Sequence, residues 1–228
     1  MKTEIRIPID GIELEGSLVI PGRATGLVIF AHGSGSSRHS PRNSRVATIL
    51  ERHGLGTLLF DLLTVEEERI DSVDTTLRFD VDTLAERLLA ATDSLIENGQ
   101  TRGLPIAYFG GSTGAAAALI AAARRPGRIA AIVSRGGRPD LAGTILEQVT
   151  APTLLIAGSR DTGVLAANRE AAARLAGPHR VEVIPGATHW FDEPGALDQV
   201  AELAAAWFIE HFAAHHRATR SAPTSATH

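Results

Sequence analysis

A chain of 228 residues with 44% hydrophobic and 21% charged residues is long enough for one large domain or two small ones, and its composition is that of an ordinary globular protein. A net charge of −4 offers no basis for nucleic-acid or membrane-surface binding. The absence of cysteine excludes disulfides, thiolate catalysis and cysteine-ligated zinc, and no apolar run reaches the ~18 residues of a membrane span.

The chain begins with charged residues, Met1 to Arg6, and lacks the apolar core of a secretion signal, so a cytoplasmic protein is expected. Residues 2–9 alternate polar and apolar, Asp10-Gly11 is a hairpin signal, and residues 12–20 alternate again, which predicts an opening antiparallel hairpin. The continuous apolar run over 26–31 predicts a strand buried on both faces. A small-residue loop follows, His32-Gly33-Ser34-Gly35-Ser36-Ser37-Arg38-His39, at the strand end where open α/β sheets place ligands. A helix over 43–54 and a buried strand over 56–60 come next. Residues 61–76 are acidic and irregular; they predict a solvated loop or short exposed helix, and they form the only insertion long enough for a partial cap.

An amphipathic helix over 79–97 carries Val81, Leu84, Leu88 and Leu89 on one face. Strands are predicted over 104–109, 129–133, 153–157 and 181–184, with helices over 165–175 and 197–212. Strands and helices alternate throughout, about eight of the former and six of the latter, so the expected fold is α/β with a mostly parallel sheet and helices on both faces. One domain over 1–212 is expected, followed by a mobile tail over 213–228 without apolar periodicity.

The strongest chemical signal is Gly110-Gly111-Ser112-Thr113-Gly114, a G-x-S-x-G pattern between an apolar strand and an alanine-rich helix. A serine on a strained strand-to-helix turn projects its hydroxyl clear of the backbone, and small residues on either side let the turn close. The helix N-terminus aims free N–H groups at that serine, which suits a developing oxyanion. A serine hydroxyl also needs a base, and the base needs an orienting carboxylate. Of nine histidines, His32 and His39 flank the Gly/Ser loop, while His189 sits on the loop after the last strand and can reach over Ser112. Asp140 and Asp161 both lie at carboxyl ends of late strands; Asp161, after the tight Gly158-Ser159 turn, is the preferred orienter and Asp140 the reserve. Asp192 reads as a surface or capping group.

These motifs, His32-Gly33-Ser34-Gly35, Gly110-Gly111-Ser112-Thr113-Gly114, Gly158-Ser159-Arg160-Asp161 and Gly186-Ala187-Thr188-His189, together resemble the α/β-hydrolase superfamily, in particular its dienelactone-hydrolase-like branch with little or no lid. The resemblance spans residues 1–212 and implies a serine hydrolase working through an acyl-enzyme, with the backbone N–H groups of Ser34 and Thr113 as the oxyanion hole. Dienelactone hydrolases proper typically use a cysteine nucleophile. This chain has none, which favours a general carboxylesterase acting on small esters or lactones. Arg38, Arg135 and Arg138 lie in loops where one could clamp a substrate carboxylate, and Trp190 stands next to His189 as a further substrate contact. No cofactor is expected, because position 38 breaks any G-x-G-x-x-G, and no metal, because no metal-ligand spacing occurs. The rival readings are the same triad used for amide or carbon–carbon hydrolysis or acyl transfer, and a non-catalytic ligand-binding module. The expected protein is a monomer or homodimer.

Overall fold

The computed structural model describes residues 2–221. Eight strands form one sheet: β1 (Lys2–Ile9), β2 (Ile12–Val19), β3 (Leu27–Ala31), β4 (Gly56–Phe60), β5 (Ile106–Gly111), β6 (Ile129–Arg135), β7 (Thr153–Gly158) and β8 (His179–Ile184), in the spatial order β1-β2-β4-β3-β5-β6-β7-β8. The hairpin β1–β2 and the β2–β4 pair are antiparallel; every other pairing is parallel. Strand β5, which ends one residue before Ser112, is therefore central, with β3 on one side and β6 on the other.

Why the inner strands β3 to β7 are mostly apolar is visible in their two faces. Ile29, Leu58, Tyr108, Ile132 and Leu155 point to one core, and Val28, Phe30, Ala107, Phe109, Val133 and Leu154 to the other. Adjacent residues on a strand face opposite ways, so a sheet covered on both sides needs apolar residues at consecutive positions. Helices α3 (Val81–Glu97), α4 (Thr113–Arg124) and α5 (Thr162–Ala172) cover the first face. Helices α1 (Pro41–Arg52) and α6 (Ala196–Ser221) pack together over the second. The alanines of α4 are what allow it to lie close to the sheet; Ala115 to Ala123 are all buried.

Two segments bear on the expectations. The segment 61–76 holds a short exposed helix, α2 (Val65–Asp74), closed by a capping box in which Thr64 Oγ1 accepts from the Glu67 N–H at 3.2 Å and Glu67 Oε2 accepts from the Thr64 N–H at 2.7 Å. Helix α6 runs nine residues past the expected end at 212, to Ser221, because extending a nucleated helix through alanine-rich sequence needs no apolar stripe. The rest of the expected tail, 222–228, lies outside the described residues. Among the described residues no helix is long and apolar enough to cross a membrane.

Candidate active site

Ser112 sits between β5 and α4 with φ 49° and ψ −121°, one of four non-glycine residues with positive φ among those described. Such a conformation costs on the order of 1–3 kcal/mol and persists only where the surroundings impose it. Here they do. A Cβ at Gly110 would strike the backbone of Ala115, and one at Gly114 would strike the Ala31 carbonyl, so the elbow closes only with glycine two residues before and two after the serine.

His189 is delivered by the loop after β8. Its Nδ1 lies 2.7 Å from Asp161 Oδ2; a carboxylate can only accept, so Nδ1 carries the proton and Nε2 is left as the basic atom. The two loops that carry this pair are tied to each other: the Ser159 N–H donates to Ile184 O (3.0 Å), the Arg160 N–H to Ala187 O (3.0 Å) and the Gly186 N–H to Ser159 Oγ (2.8 Å). Phe191, buried and held at φ 57°, anchors the far side of the histidine loop. Asp140, the reserve carboxylate, is instead paired with Arg138 at 2.7 Å. Asp192 is an exposed partner of Arg42 at 3.2 Å.

Ser112 and His189 line one cavity of about 630 Å³, together with the Gly/Ser loop after β3, Leu62 and Leu63, the inner side of α2, and Trp190. That size suits a small ligand. Among the described residues no hydrogen bond joins Ser112 Oγ to the ring; in empty sites such contacts are often long and tighten once substrate binds.

The loop after β3 is held by His32. Its Nε2 accepts from the Leu62 N–H at 3.0 Å, which leaves the proton on Nδ1, 3.1 Å from Gly33 O. Burial pulls this imidazole below its ordinary pKa, against the opposing pull of the Gly33 carbonyl, and keeps it neutral. The Ser34 N–H was expected to serve as an oxyanion donor. It donates instead to Thr113 Oγ1 at 3.0 Å, and Thr113 is only 2% exposed. The buried hydroxyl is the acceptor within reach, and it stitches the β3 loop to the start of α4. The Thr113 N–H is the first amide of α4 and as such has no intrahelical acceptor.

The three arginines singled out by position divide sharply. Arg38 pairs with Asp61 and with Glu15 and does not line the cavity, so it is a structural cation. Arg138 is spent on Asp140 and is also off the cavity. Arg135 does line it, without an ion pair among the described residues; burial first, and the nearby Arg42 second, pull its pKa down to about 10, opposed by Asp192. Trp190 lies at the rim, 54% exposed, edge-on to His189 at 5.0 Å and capped by the Arg42 guanidinium at 4.6 Å. Sequence reasoning missed Arg42, Glu68, Asp71 and Arg78, which also line the cavity. Their signal was membership of the α1 start for Arg42 and of the 61–76 insertion for Glu68 and Asp71; Arg78, just past that insertion, had none. Among the described residues no cluster of His, Asp or Glu could hold a metal.

Residues 24–215 match a protein family described as an alpha/beta hydrolase domain. The chain belongs to the α/β-hydrolase superfamily. Within it, this α/β-hydrolase is 53% identical to a dienelactone hydrolase from Anabaena variabilis of known crystal structure, over 92% of this chain and 98% of that one, with a TM-score of 0.91, which places it in the dienelactone-hydrolase-like branch. A cold-adapted esterase from an Arctic intertidal metagenomic library shares the fold at 18% identity and a TM-score of 0.72, covering 90% of this chain and 93% of its own. The hydrolase is also 52% identical over 208 residues to a Mycobacterium tuberculosis protein named a phosphoribosyl transferase; the match covers 91% of this chain but only 46% of that relative. The chain thus spans about half the length of the curated relatives it matches.

Proposed function

We propose that this α/β-hydrolase is a serine esterase that cleaves small carboxylic esters or lactones through an acyl-enzyme. The observation that carries the reading is the Asp161–His189 hydrogen bond of 2.7 Å on the wall of the same cavity into which the strained Ser112 projects. In the first step Ser112 Oγ forms a bond to the substrate carbonyl carbon while His189 Nε2 takes the hydroxyl proton. The C–O bond of the ester then breaks and His189 returns that proton to the departing alkoxide. In the second step water attacks the acyl-enzyme, again losing its proton to His189, and Ser112 recovers it as the acid leaves. Asp161 keeps the ring in the tautomer that does this and stabilises the imidazolium formed midway.

Two oxyanion donors are available. The Thr113 N–H is free of an intrahelical partner, and the Ser34 N–H would share its proton between Thr113 Oγ1 and the substrate oxygen. Each such donor is worth roughly 3–4 kcal/mol in the transition state. The name of the Anabaena relative favours lactones among the substrates. The transferase name of the mycobacterial relative is assigned in this reading to the 54% of that protein that the match leaves uncovered (100 − 46). The reading carries with it a cytoplasmic monomer or homodimer that meets small molecules rather than nucleic acid or membrane.

The test is hydrolysis of a p-nitrophenyl ester series from acetate to octanoate by wild type and Ser112→Ala. The expected outcome is measurable turnover that favours short acyl chains, and loss of kcat by several orders of magnitude in the variant. Equal rates in the two proteins would remove Ser112 from the chemistry.

A further inference from the structure

We infer that the free edge of β8 is an interface for a second copy of this chain: two β8 strands pair antiparallel about Val181 and join the two sheets into one. The inference does not depend on the serine-hydrolase reading, and it selects the dimer over the monomer.

The edge itself comes first. Strand β8 ends the sheet and is hydrogen-bonded to no strand but β7. The Thr153 N–H donates to Pro178 O at 2.9 Å and the Ser159 N–H to Ile184 O at 3.0 Å. Backbone groups alternate in direction along a strand, so the even-numbered residues of β8 turn theirs toward β7. His179, Val181 and Val183 turn theirs outward, and among the described residues those N–H and C=O groups have no partner. Such a row is a template for another strand. At the opposite edge of the sheet β1 holds Pro8 within its bounds, which takes a donor out of the row; β8 holds no proline.

Charge then sets the alignment. Arg180 and Glu182 project on the α6 side of the sheet, where the Arg180 guanidinium lies 5.3 Å from the centre of the Trp207 ring. In one copy they pair with each other, Nε to Oε1 at 3.0 Å. Residues that exchange both backbone bonds across an antiparallel pair stand directly opposite, so an outward residue must meet an outward residue. The alignments that keep most of the strand are therefore centred on residue 180, 181 or 182. Centred on Arg180, two guanidinium groups meet; centred on Glu182, two carboxylates meet. Centred on Val181, each Arg180 faces Glu182 of the second copy, and His179 exchanges its backbone bonds with Val183. Opposite charges directly across a sheet stabilise the pairing and like charges oppose it. On the other face Val181, half-buried against the core of its own copy, meets its counterpart and loses exposed apolar surface.

Sedimentation of the full chain over a concentration series tests this. Wild type is expected at twice the chain mass, with a dissociation constant of about 10 µM or lower. Arg180→Glu and Glu182→Arg each set like charges across the two-fold axis and are expected to weaken the dimer by about tenfold or more. An equimolar mixture of the two variants is expected to recover it, because every charge on one strand then faces its opposite on the other. The double exchange Arg180→Glu/Glu182→Arg is expected to recover it as well. A wild type that stays monomeric at about 100 µM overturns the inference. So does a dimer that survives both single substitutions, because its interface lies elsewhere, and so does a mixture that stays monomeric. Where circular dichroism shows that the variants do not fold, hydrogen exchange of wild type decides. The amides of His179, Val181 and Val183 are expected to exchange slowly in the dimer and fast after dilution to the monomer, and equal rates in the two overturn the interface.

Discussion

The difference between Asp161 and Asp140 is a difference of neighbours. Both follow late strands, yet one carboxylate accepts from His189 Nδ1 and the other is held by Arg138. An amide at 161 would keep the size of the side chain but could present its NH₂ to the ring and favour the wrong tautomer. Asp161→Asn is therefore expected to lower kcat on p-nitrophenyl acetate by about 10³–10⁴-fold with a small change in KM, the loss typical of such triads. Asp140→Asn should run at near wild-type rates. Comparable losses in both variants would refute the assignment of the orienting carboxylate. Ser34 and Thr113 show the same dependence on neighbours: their residue types pointed to the oxyanion region, but not to the hydroxyl of one accepting the N–H of the other.

Among the elements, α2 is the one whose stability is electrostatic. It leaves Val65 and Val73 in solvent, so it cannot be held by an apolar face. It is held instead by its capping box and by Glu67, which reaches Arg87 on α3 through Nη1 at 2.6 Å and Nη2 at 2.5 Å. Arg87 brings the Glu67 carboxyl down to about 2, helped by the Thr64 N–H and opposed by burial. A carboxyl with a depressed folded-state pKa binds fewer protons folded than unfolded above that value. Its stabilisation is complete above the ordinary glutamate pKa near 4.5 and is lost as pH falls from there toward 2. Urea unfolding of wild type and Glu67→Gln should therefore differ most at pH 6–7 and converge as pH falls toward 2. A gap that stays constant over that window would show that the pair does not titrate as the geometry requires. The Thr64-Val65-Glu66-Glu67 signature was present in the sequence, but its acidic company also reads as a solvated loop, and only the contact with Arg87 on another helix separates the two.

At the scale of the whole molecule, the site exists because α4 lies against the end of β3 with no room between them. Gly114 is where the two layers touch: any side chain there meets the Ala31 carbonyl, which the sheet cannot move. Gly114→Ala is expected to lower unfolding free energy by about 2–3 kcal/mol, read from the urea midpoint, and to reduce activity because the displaced elbow carries Ser112. Wild-type stability in that variant would show the packing to be loose. The strands, the helices, the mostly parallel sheet and the strand–turn–helix elbow around Ser112 were legible without coordinates. They are written in local periodicity and in small residues at turns, and these act over a few neighbouring positions. What local pattern could not express was decided by residues far apart in sequence being folded to within about 3 Å, Asp161 on His189 and Asp61 and Glu15 on Arg38, while among the described residues Arg135 has no ion pair. Three loop arginines look alike in sequence, and whether each is a structural cation or a free one depends on which carboxylates the tertiary fold leaves beside it.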